Sequence, residues 1–310
     1  MQTLRDYLKL LRFPAVFTAL ADIFLGHLLL ARNLQPIGAF CLLLVSSASL
    51  YLAGMVFNDI FDRKIDAQER SFRPIPSGAV SLKSAIVLGM VLLVMGVTSA
   101  FFVSLQSLSI ALMLTVAILA YDGFLKKTFL GPVAMGSCRF LNIMLGATAV
   151  EQLGESLWGA PQLYVAGGLA VYIAGVTWFA RNEASEKISR WQLIGAAGIV
   201  NCGLLVMFGL IFSVPDFLAY AWHGKTSPLH VGLLLAAISF SLNRRMFVAL
   251  KNPSPSTIQP AVKTMLLSVI MLDATLILLQ TGLQPFPIYS VMVAALLLPA
   301  LFLGRFIYMT

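Results

Sequence analysis

The sequence NDIFDRKIDAQERSFRPIPSG, residues 58–78, is a strongly polar stretch in a chain of 310 residues that is 59% hydrophobic and 11% charged. It contains four of the thirteen acidic residues and four of the 21 basic residues. Asn58, Asp62 and Asp66 recur at every fourth position, so in a helix they share one face, with a drift of about 40° per step. This spacing predicts a column of oxygen ligands at a helix end.

Carboxylate and amide oxygens in such a column suit Mg²⁺, which takes a few protein carboxylates and leaves other positions for water and phosphate oxygens. Four basic residues follow at once: Arg63, Lys64, Arg70 and Arg73. Carboxylates beside guanidinium groups are typical of sites that hold a metal-complexed polyphosphate. A solvated, salt-bridged helix end between two membrane spans is the alternative interpretation.

Outside this stretch the chain is far more apolar than a soluble domain, in which roughly a quarter of residues are charged. Most of its apolar segments approach the roughly 20 residues that a helix needs to cross a bilayer. The composition therefore predicts an all-α, polytopic transmembrane helix bundle. Ten apolar segments can be counted: 13–32, 36–57, 82–103, 105–121, 131–150, 162–182, 191–213, 228–248, 262–283 and 286–307.

The basic residues predict the orientation of these spans. If both termini are cytoplasmic, nineteen of the 21 Lys and Arg residues lie on the cytoplasmic side, and Arg32 and Lys225 are the two exceptions. The net charge of +8 is thus explained by positive-inside bias, and no nucleic-acid partner is expected. Residues 1–12 form an amphipathic, basic segment that we expect to lie along the cytoplasmic surface.

Several polar residues fall within the apolar segments. Asp22 either lines a site or bonds to a neighbouring helix, because an ionisable residue at membrane depth must face the protein interior. Arg139 lies within the fifth segment, and Lys126 precedes it in a basic loop. These two cations suit the phosphate end of a substrate, although positive-inside anchoring explains Lys126 equally well.

The order Asn-Asp-x-x-Asp-x-x-x-Asp followed by Arg-Pro-x-Pro-x-Gly resembles the first signature of the UbiA superfamily of intramembrane prenyltransferases. Tyr-x-x-x-Leu-Lys at 121–126 also resembles the pattern that follows the fourth helix of that family. The family's second signature, Arg-Asp-x-x-x-Asp-Arg, aligns with Arg181 and places Asn182 and Glu186 where two aspartates are usual. The spacing is kept and the identities are not, so a helix end with ordinary i to i+4 ion pairs remains the alternative there.

The resemblance implies one UbiA-like domain over residues 1–310, with nine or ten helices in two pseudo-repeated halves around a central cavity. It implies a Mg²⁺ cofactor, an isoprenoid diphosphate as donor, an acceptor that it does not identify, and the lipid bilayer as surroundings. It assigns the metal to Asn58, Asp62, Asp66, Asn182 and Glu186, catalysis to the last four of these, and the diphosphate to Arg73, Lys126 and Arg139.

Within the superfamily, the runs MGSCRFLN at 135–142 and ARNEA at 180–184 look most like the branch called EboC. This resemblance implies a multi-pass protein of a bacterial cytoplasmic membrane, with the mouth of the site on the cytoplasmic side. The substituted second signature leaves an alternative open, in which the chain is a non-catalytic or transport-associated isoprenoid-binding protein of the same fold.

Overall fold

The computed structural model describes residues 2–149, 157–181, 189–213, 228–281 and 287–307. These ranges contain helices and no β-strand, which confirms the predicted all-α fold. In chain order the helices are α1 Gln2–Leu10, α2 Val16–Ala31, α3 Ile37–Glu69, α4 Leu82–Phe101, α5 Leu105–Gly123, α6 Gly131–Ala147, α7 Ala160–Ala180, α8 Arg190–Ser213, α9 Pro228–Lys251, α10 Pro255–Thr281, α11 Ile288–Ala295 and α12 Leu297–Leu303.

Each of the ten predicted apolar segments corresponds to a helix, except that the last one is divided between α11 and α12. Over the described ranges, eight helices are long and apolar enough to cross a membrane. Helix α6 is not among these eight, because it has 17 residues and carries Arg139 and Asn142. Lys225, one of the two exceptions to the charge bias, lies outside the described residues.

Helices α2 and α10 form the centre of the bundle. In their most apolar windows 78% and 72% of the residues are buried, against 22% in α9. Helix α2 contacts α3, α6, α7 and α10, while α4 packs mainly on α3, and α8 mainly on α7. The outer face of α4 exposes large apolar side chains, as expected where a helix faces lipid; these include Val87, Met90, Val91 and Val94.

Helix α3 is long enough to leave the hydrocarbon region. Its 33 residues extend about 50 Å, compared with a bilayer core of about 30 Å. The polar stretch 58–69 forms its last turns, and residues 70–80 fold back as a loop that buries Val80 against α3. Leu10 of α1 is fully buried in the same cluster, so α1 packs against the end of α3 that carries the acids.

The predicted relation between two halves depends on polar helix ends after the second and sixth spans. The second of these ends falls in residues 182–188, which lie outside the described residues. The central cavity predicted with it is present and is described below.

Two glycines allow α2 and α6 to approach each other closely. A Cβ atom on Gly26 of α2 would overlap the carbonyl oxygen of Ile143 in α6. A Cβ atom on Gly146 of α6 would lie 2.6 Å from the carbonyl oxygen of Ile23 in α2. Small residues at such crossings stabilise membrane bundles because they let two backbones come into van der Waals contact.

Gly26→Leu is therefore expected to separate α2 from α6 and to lower the free energy of unfolding by at least about 3 kcal/mol, because a backbone atom cannot yield as a side chain can. The measurement is SDS-induced unfolding in mixed micelles. Gly232→Leu is the matched control, since nothing lies within 4 Å of a Cβ atom built at Gly232. Equal stability of the two variants would contradict the close crossing.

Candidate active site

A cavity of about 550 Å³ lies between α2, α3, α5, α6, α7 and α10. One end is polar and is formed by the last turns of α3, the end of α5 and the start of the 70–80 loop. The walls behind that end are mainly apolar and include Leu114, Ile118, Met135, Ile173, Val176 and Leu266. The arrangement suits a molecule with a charged head and an apolar tail.

At the polar end, Lys126 joins the first two members of the predicted column. Its Nζ atom lies 2.9 Å from Oδ1 of Asn58 and 2.7 Å from Oδ2 of Asp62. Lys126 belongs to a short 3-10 turn, Leu125–Lys127, that follows α5 and turns the chain towards α6. The structure thus brings together Asn58, Asp62 and Lys126, which the sequence analysis placed in one site.

The third member of the column, Asp66, faces a different partner. Nη1 of Arg73 lies 2.7 Å from Oδ2 of Asp66 and 3.1 Å from Oδ1 of Asp59, and Arg73 is 4% exposed. Arg12, at the end of the N-terminal segment, also donates to Asp59, at 3.1 Å. Asp66 and Arg73 were predicted to serve the metal and the diphosphate, and the structure pairs them with each other.

The loop after α3 owes its shape to its prolines and glycine. Pro74 and Pro76 cannot continue a helix, and Gly78 adopts a φ angle of 76°, a left-handed conformation that glycine tolerates without strain. The backbone N–H of Val80 donates to the carbonyl of Pro74 at 2.9 Å. Together with the Arg73 bridge, this turn fixes the loop beside the mouth of the cavity.

Deeper in the cavity, Arg139 lies in a second polar cluster. Its Nη1 atom donates to Oδ2 of Asp22 and, at 3.0 Å, to the carbonyl of Thr18. Asn142 donates to the same Asp22 oxygen at 2.8 Å and accepts a hydrogen bond from Ser47 at 2.7 Å. Arg139, which was predicted to bind diphosphate, is thus already neutralised by Asp22 of α2. For Asp22, the sequence analysis gave two possible roles, and the structure shows one of them, a bond to a neighbouring helix.

Asp273 of α10 completes this deep cluster. Its carboxyl group is fully buried near that of Asp22, and neither of its oxygens has a hydrogen-bond partner among the described residues. Two acids and one arginine therefore meet where α2, α6 and α10 pack together, which explains why these helices carry charge at membrane depth.

Asp122 of α5 is a cavity residue that the sequence analysis did not assign to the site. It lines the cavity and is 3% exposed. A signal for it was present, because Asp122 precedes Lys126 by four residues, the distance of one helical turn.

The second predicted ligand pair, Asn182 and Glu186, lies outside the described residues. The residue before them is described: the side chain of Arg181 lines the cavity and donates to the carbonyl of Lys127 at 2.9 Å. The end of α7 therefore meets the turn after α5 at the mouth of the cavity. Among the residues that the structure describes, no group of three His, Cys, Asp or Glu side chains is arranged to hold a metal.

The polar end nevertheless fits a cation. The amide oxygen of Asn58 and a carboxylate oxygen of Asp62 already converge on one positive group, the ammonium of Lys126. A hard cation such as Mg²⁺ uses the same types of oxygen, and it needs few of them from the protein when phosphate oxygens and water supply the rest.

Comparison with known proteins shows which family has this architecture. The model of the UbiA prenyltransferase family matches residues 19–257. A digeranylgeranylglyceryl phosphate synthase of Saccharolobus solfataricus is 28% identical over 148 residues, which is 47% of this chain and 52% of the relative. The chain thus spans about half the length of the first curated relatives that it matches.

Two solved structures share the fold. A chain from structural work on digeranylgeranylglyceryl phosphate synthase in membranes has a TM-score of 0.65 and 21% identity, and the match covers 91% of this chain and 99% of that one. A UbiA homologue of Archaeoglobus fulgidus bound to GPP and Mg²⁺ has a TM-score of 0.60 and 16% identity, and the match covers 94% of this chain and 99% of that one.

Assignment to the EboC branch stays a prediction, since the matching model describes the family as a whole. That match extends over well more than half of the chain, and the helices, the cavity and the solved relatives agree with it. The chain is therefore an integral, multi-pass membrane protein that belongs to the UbiA prenyltransferase family.

Proposed function

We propose that this chain is a Mg²⁺-dependent enzyme that transfers a prenyl group from an isoprenoid diphosphate to an acceptor within the membrane. The observation that carries the proposal is the convergence of Asn58, Asp62 and Lys126 at the mouth of a cavity whose inner walls are mainly apolar. Such a site matches a substrate with a diphosphate head and a hydrocarbon tail.

Asn58 and Asp62 would hold Mg²⁺ on one side of the mouth, and Asn182 and Glu186 are proposed to hold it on the other. The bound metal would neutralise the charge that grows on the diphosphate as the allylic carbon–oxygen bond breaks. Lys126 contributes a further positive charge at the same place. The apolar walls exclude water from the allylic carbon, so that the acceptor rather than water attacks it.

For Asp66 and Arg73 we propose an indirect role. Their bridge, which also includes Asp59, positions the 70–80 loop at the mouth, and direct contact with metal or diphosphate would require it to open. For Arg139 a diphosphate role likewise competes with its bond to Asp22.

The relatives support a donor of the geranylgeranyl class. Their name specifies geranylgeranyl groups carried on glyceryl phosphate, and the Archaeoglobus fulgidus homologue binds a shorter isoprenoid diphosphate together with Mg²⁺. We propose that the protein lies in a bacterial cytoplasmic membrane with both termini and the cavity mouth on the cytoplasmic side, as the positive-inside bias predicts.

The test is binding of geranylgeranyl diphosphate to the purified protein in detergent, measured by calorimetry with Mg²⁺ and with EDTA. We expect Mg²⁺ to tighten binding at least about tenfold, because the diphosphate and the protein oxygens share the metal. Binding that is equally tight in EDTA would contradict the proposal and favour a non-catalytic, isoprenoid-binding role. Geranylgeraniol, which has the tail without the diphosphate, is the control and should show no Mg²⁺ dependence.

A further inference from the structure

A second acid, Asp122, lies near the ammonium of Lys126. Asp122 is nine-tenths buried and lines the cavity, and within the described residues it has no hydrogen bond or ion pair of its own. The charge that acts most strongly on its carboxyl group is that of Lys126, followed by those of Arg12 and Asp62. A buried carboxylate without a hydrogen-bond donor raises the free energy of the folded state, and a ligand bound in the cavity would remove that penalty.

The packing of α5 on α3 places the Asp122 carboxylate close to the turn of α3 that contains Gly54. A Cβ atom on Gly54 of α3 would lie 4.0 Å from Oδ2 of Asp122. Gly54 precedes Asn58 by four residues, so Asp122 approaches α3 one helical turn from Asn58 and on the same side of the helix. Because Gly54 has no side chain, α5 packs closely on α3 here, with Ile118 against Gly54 and the Asp122 carboxylate beside it.

We propose that Asn58, Asp62 and Asp122 form one divalent-cation site in the first half of the chain, and that Lys126 occupies it until a metal–diphosphate complex arrives. Two carboxylates and one amide oxygen, with phosphate and water in the remaining positions, are a suitable set for Mg²⁺. Lys126 then exchanges its oxygen partners for the diphosphate. The inference rests on the proposed function and extends it by a metal ligand from α5.

This arrangement accounts for the substituted second signature. With Asn182 and Glu186 in place of the two usual aspartates, the second signature has one carboxylate fewer. Asp122 supplies a carboxylate from another helix, which offsets that loss. Metal affinity in oxygen-ligand sites depends on this charge count.

The test uses Mn²⁺ as a paramagnetic probe, because it takes the same oxygen ligands as Mg²⁺. Free Mn²⁺ is measured by electron paramagnetic resonance with the full chain in detergent. Without diphosphate, we expect Lys126→Ala to bind Mn²⁺ at least about tenfold more tightly than the wild type, because the competing ammonium is removed. Adding Asp122→Asn should abolish that gain, whereas adding the control change Asp6→Asn on α1 should leave it intact.

With geranylgeranyl diphosphate present, we expect the wild type to bind Mn²⁺ and Asp122→Asn to bind it at least about tenfold more weakly. Lys127→Ala controls for loss of one positive charge in the same turn and should not reproduce the effect of Lys126→Ala. Thermal unfolding of each variant checks that it is folded, and the near-isosteric Asn keeps the shape of the side chain.

Two outcomes overturn the inference in distinguishable ways. If the Lys126→Ala/Asp122→Asn protein binds Mn²⁺ as tightly as Lys126→Ala, Asp122 is not a ligand, and the proposed function still stands. If neither the wild type nor Lys126→Ala binds Mn²⁺ with or without the diphosphate, the metal site and the proposed function fall together.

Discussion

Replacing Asp62 by alanine is expected to lower the rate of prenyl transfer by about 10³-fold, because the leaving diphosphate loses the carboxylate that anchors its metal. Oδ2 of Asp62 lies 2.7 Å from the ammonium of Lys126, so this oxygen already holds a cation at the mouth of the cavity. The measurement is release of diphosphate from geranylgeranyl diphosphate by membranes that contain the chain.

The loss should be specific to the site. Asp62 is partly exposed, with 20% of its side chain accessible, so its removal leaves the helix core unchanged. Asp62→Ala is therefore expected to unfold at the same temperature as the wild type. Asp6→Ala, which removes an acid in the middle of α1 that pairs with Lys9, should keep full activity. Full activity in Asp62→Ala would refute the assignment of this carboxylate to the site.

The largest effect on stability is expected from Arg139→Met. This change leaves the fully buried carboxyl group of Asp22 near Asp273 and, among the described residues, without an ion-pair partner. Removing one partner of a buried ion pair typically costs about 3–5 kcal/mol. The measurement is the free energy of unfolding in an SDS titration, with the wild type as reference.

The double variant Asp22→Asn/Arg139→Met removes both charges and keeps an acceptor for Asn142. We expect it to regain most of the lost free energy, and the double-mutant cycle then gives the coupling between the two charges. Additive losses would mean that the pair is not coupled. The same double variant also tests the predicted diphosphate role of Arg139, since unchanged binding of geranylgeranyl diphosphate would show that Arg139 is not needed there.

The fold was predictable from the sequence because its signal is long and repetitive. Each apolar segment falls within the range of about 17–25 residues in which a helix spans a bilayer, so ten segments sufficed to predict the helices of the described ranges. The division of the last segment into α11 and α12 does have a signal in the sequence, Pro299, which cannot donate a helical hydrogen bond to the carbonyl of Ala295, where α11 ends.

The site was partly predictable, and the reason lies in the helical period. Four-residue steps drift by about 40°, so Asp66 is rotated by about 80° from Asn58, whereas Asp59 and Asp66, seven residues apart, differ by only about 20°. The column therefore divides into two faces: Asn58 and Asp62 face Lys126, and Asp59 and Asp66 face Arg73. The drift is small over one step, but over two steps it is large enough to turn Asp66 away from Lys126.

Contacts between helices that are far apart in the chain could not be predicted from the sequence. Arg139 and Asp22 are 117 positions apart, and nothing in either segment identifies the other as its partner. Asp122 was passed over because it ends a span beside a glycine and two lysines, where a solvated acid is ordinary. Its burial follows from the packing of α5 on Gly54 of α3, which depends on the tertiary structure.

The short, polar α6 has a consequence for biogenesis. An arginine near the middle of a nascent helix disfavours its transfer from the translocon into lipid by about 2.5–3.5 kcal/mol, and the acid in α2 carries a similar penalty. At about 5–20 residues per second, the ribosome needs roughly 6–23 s to synthesise the 117 positions that separate the two charges. During that interval α2 lacks its counter-charge, so we expect α2 and α6 to complete their insertion as a pair. The cavity, which α10 also lines with Val262 and Leu266, can close only after those residues have been synthesised.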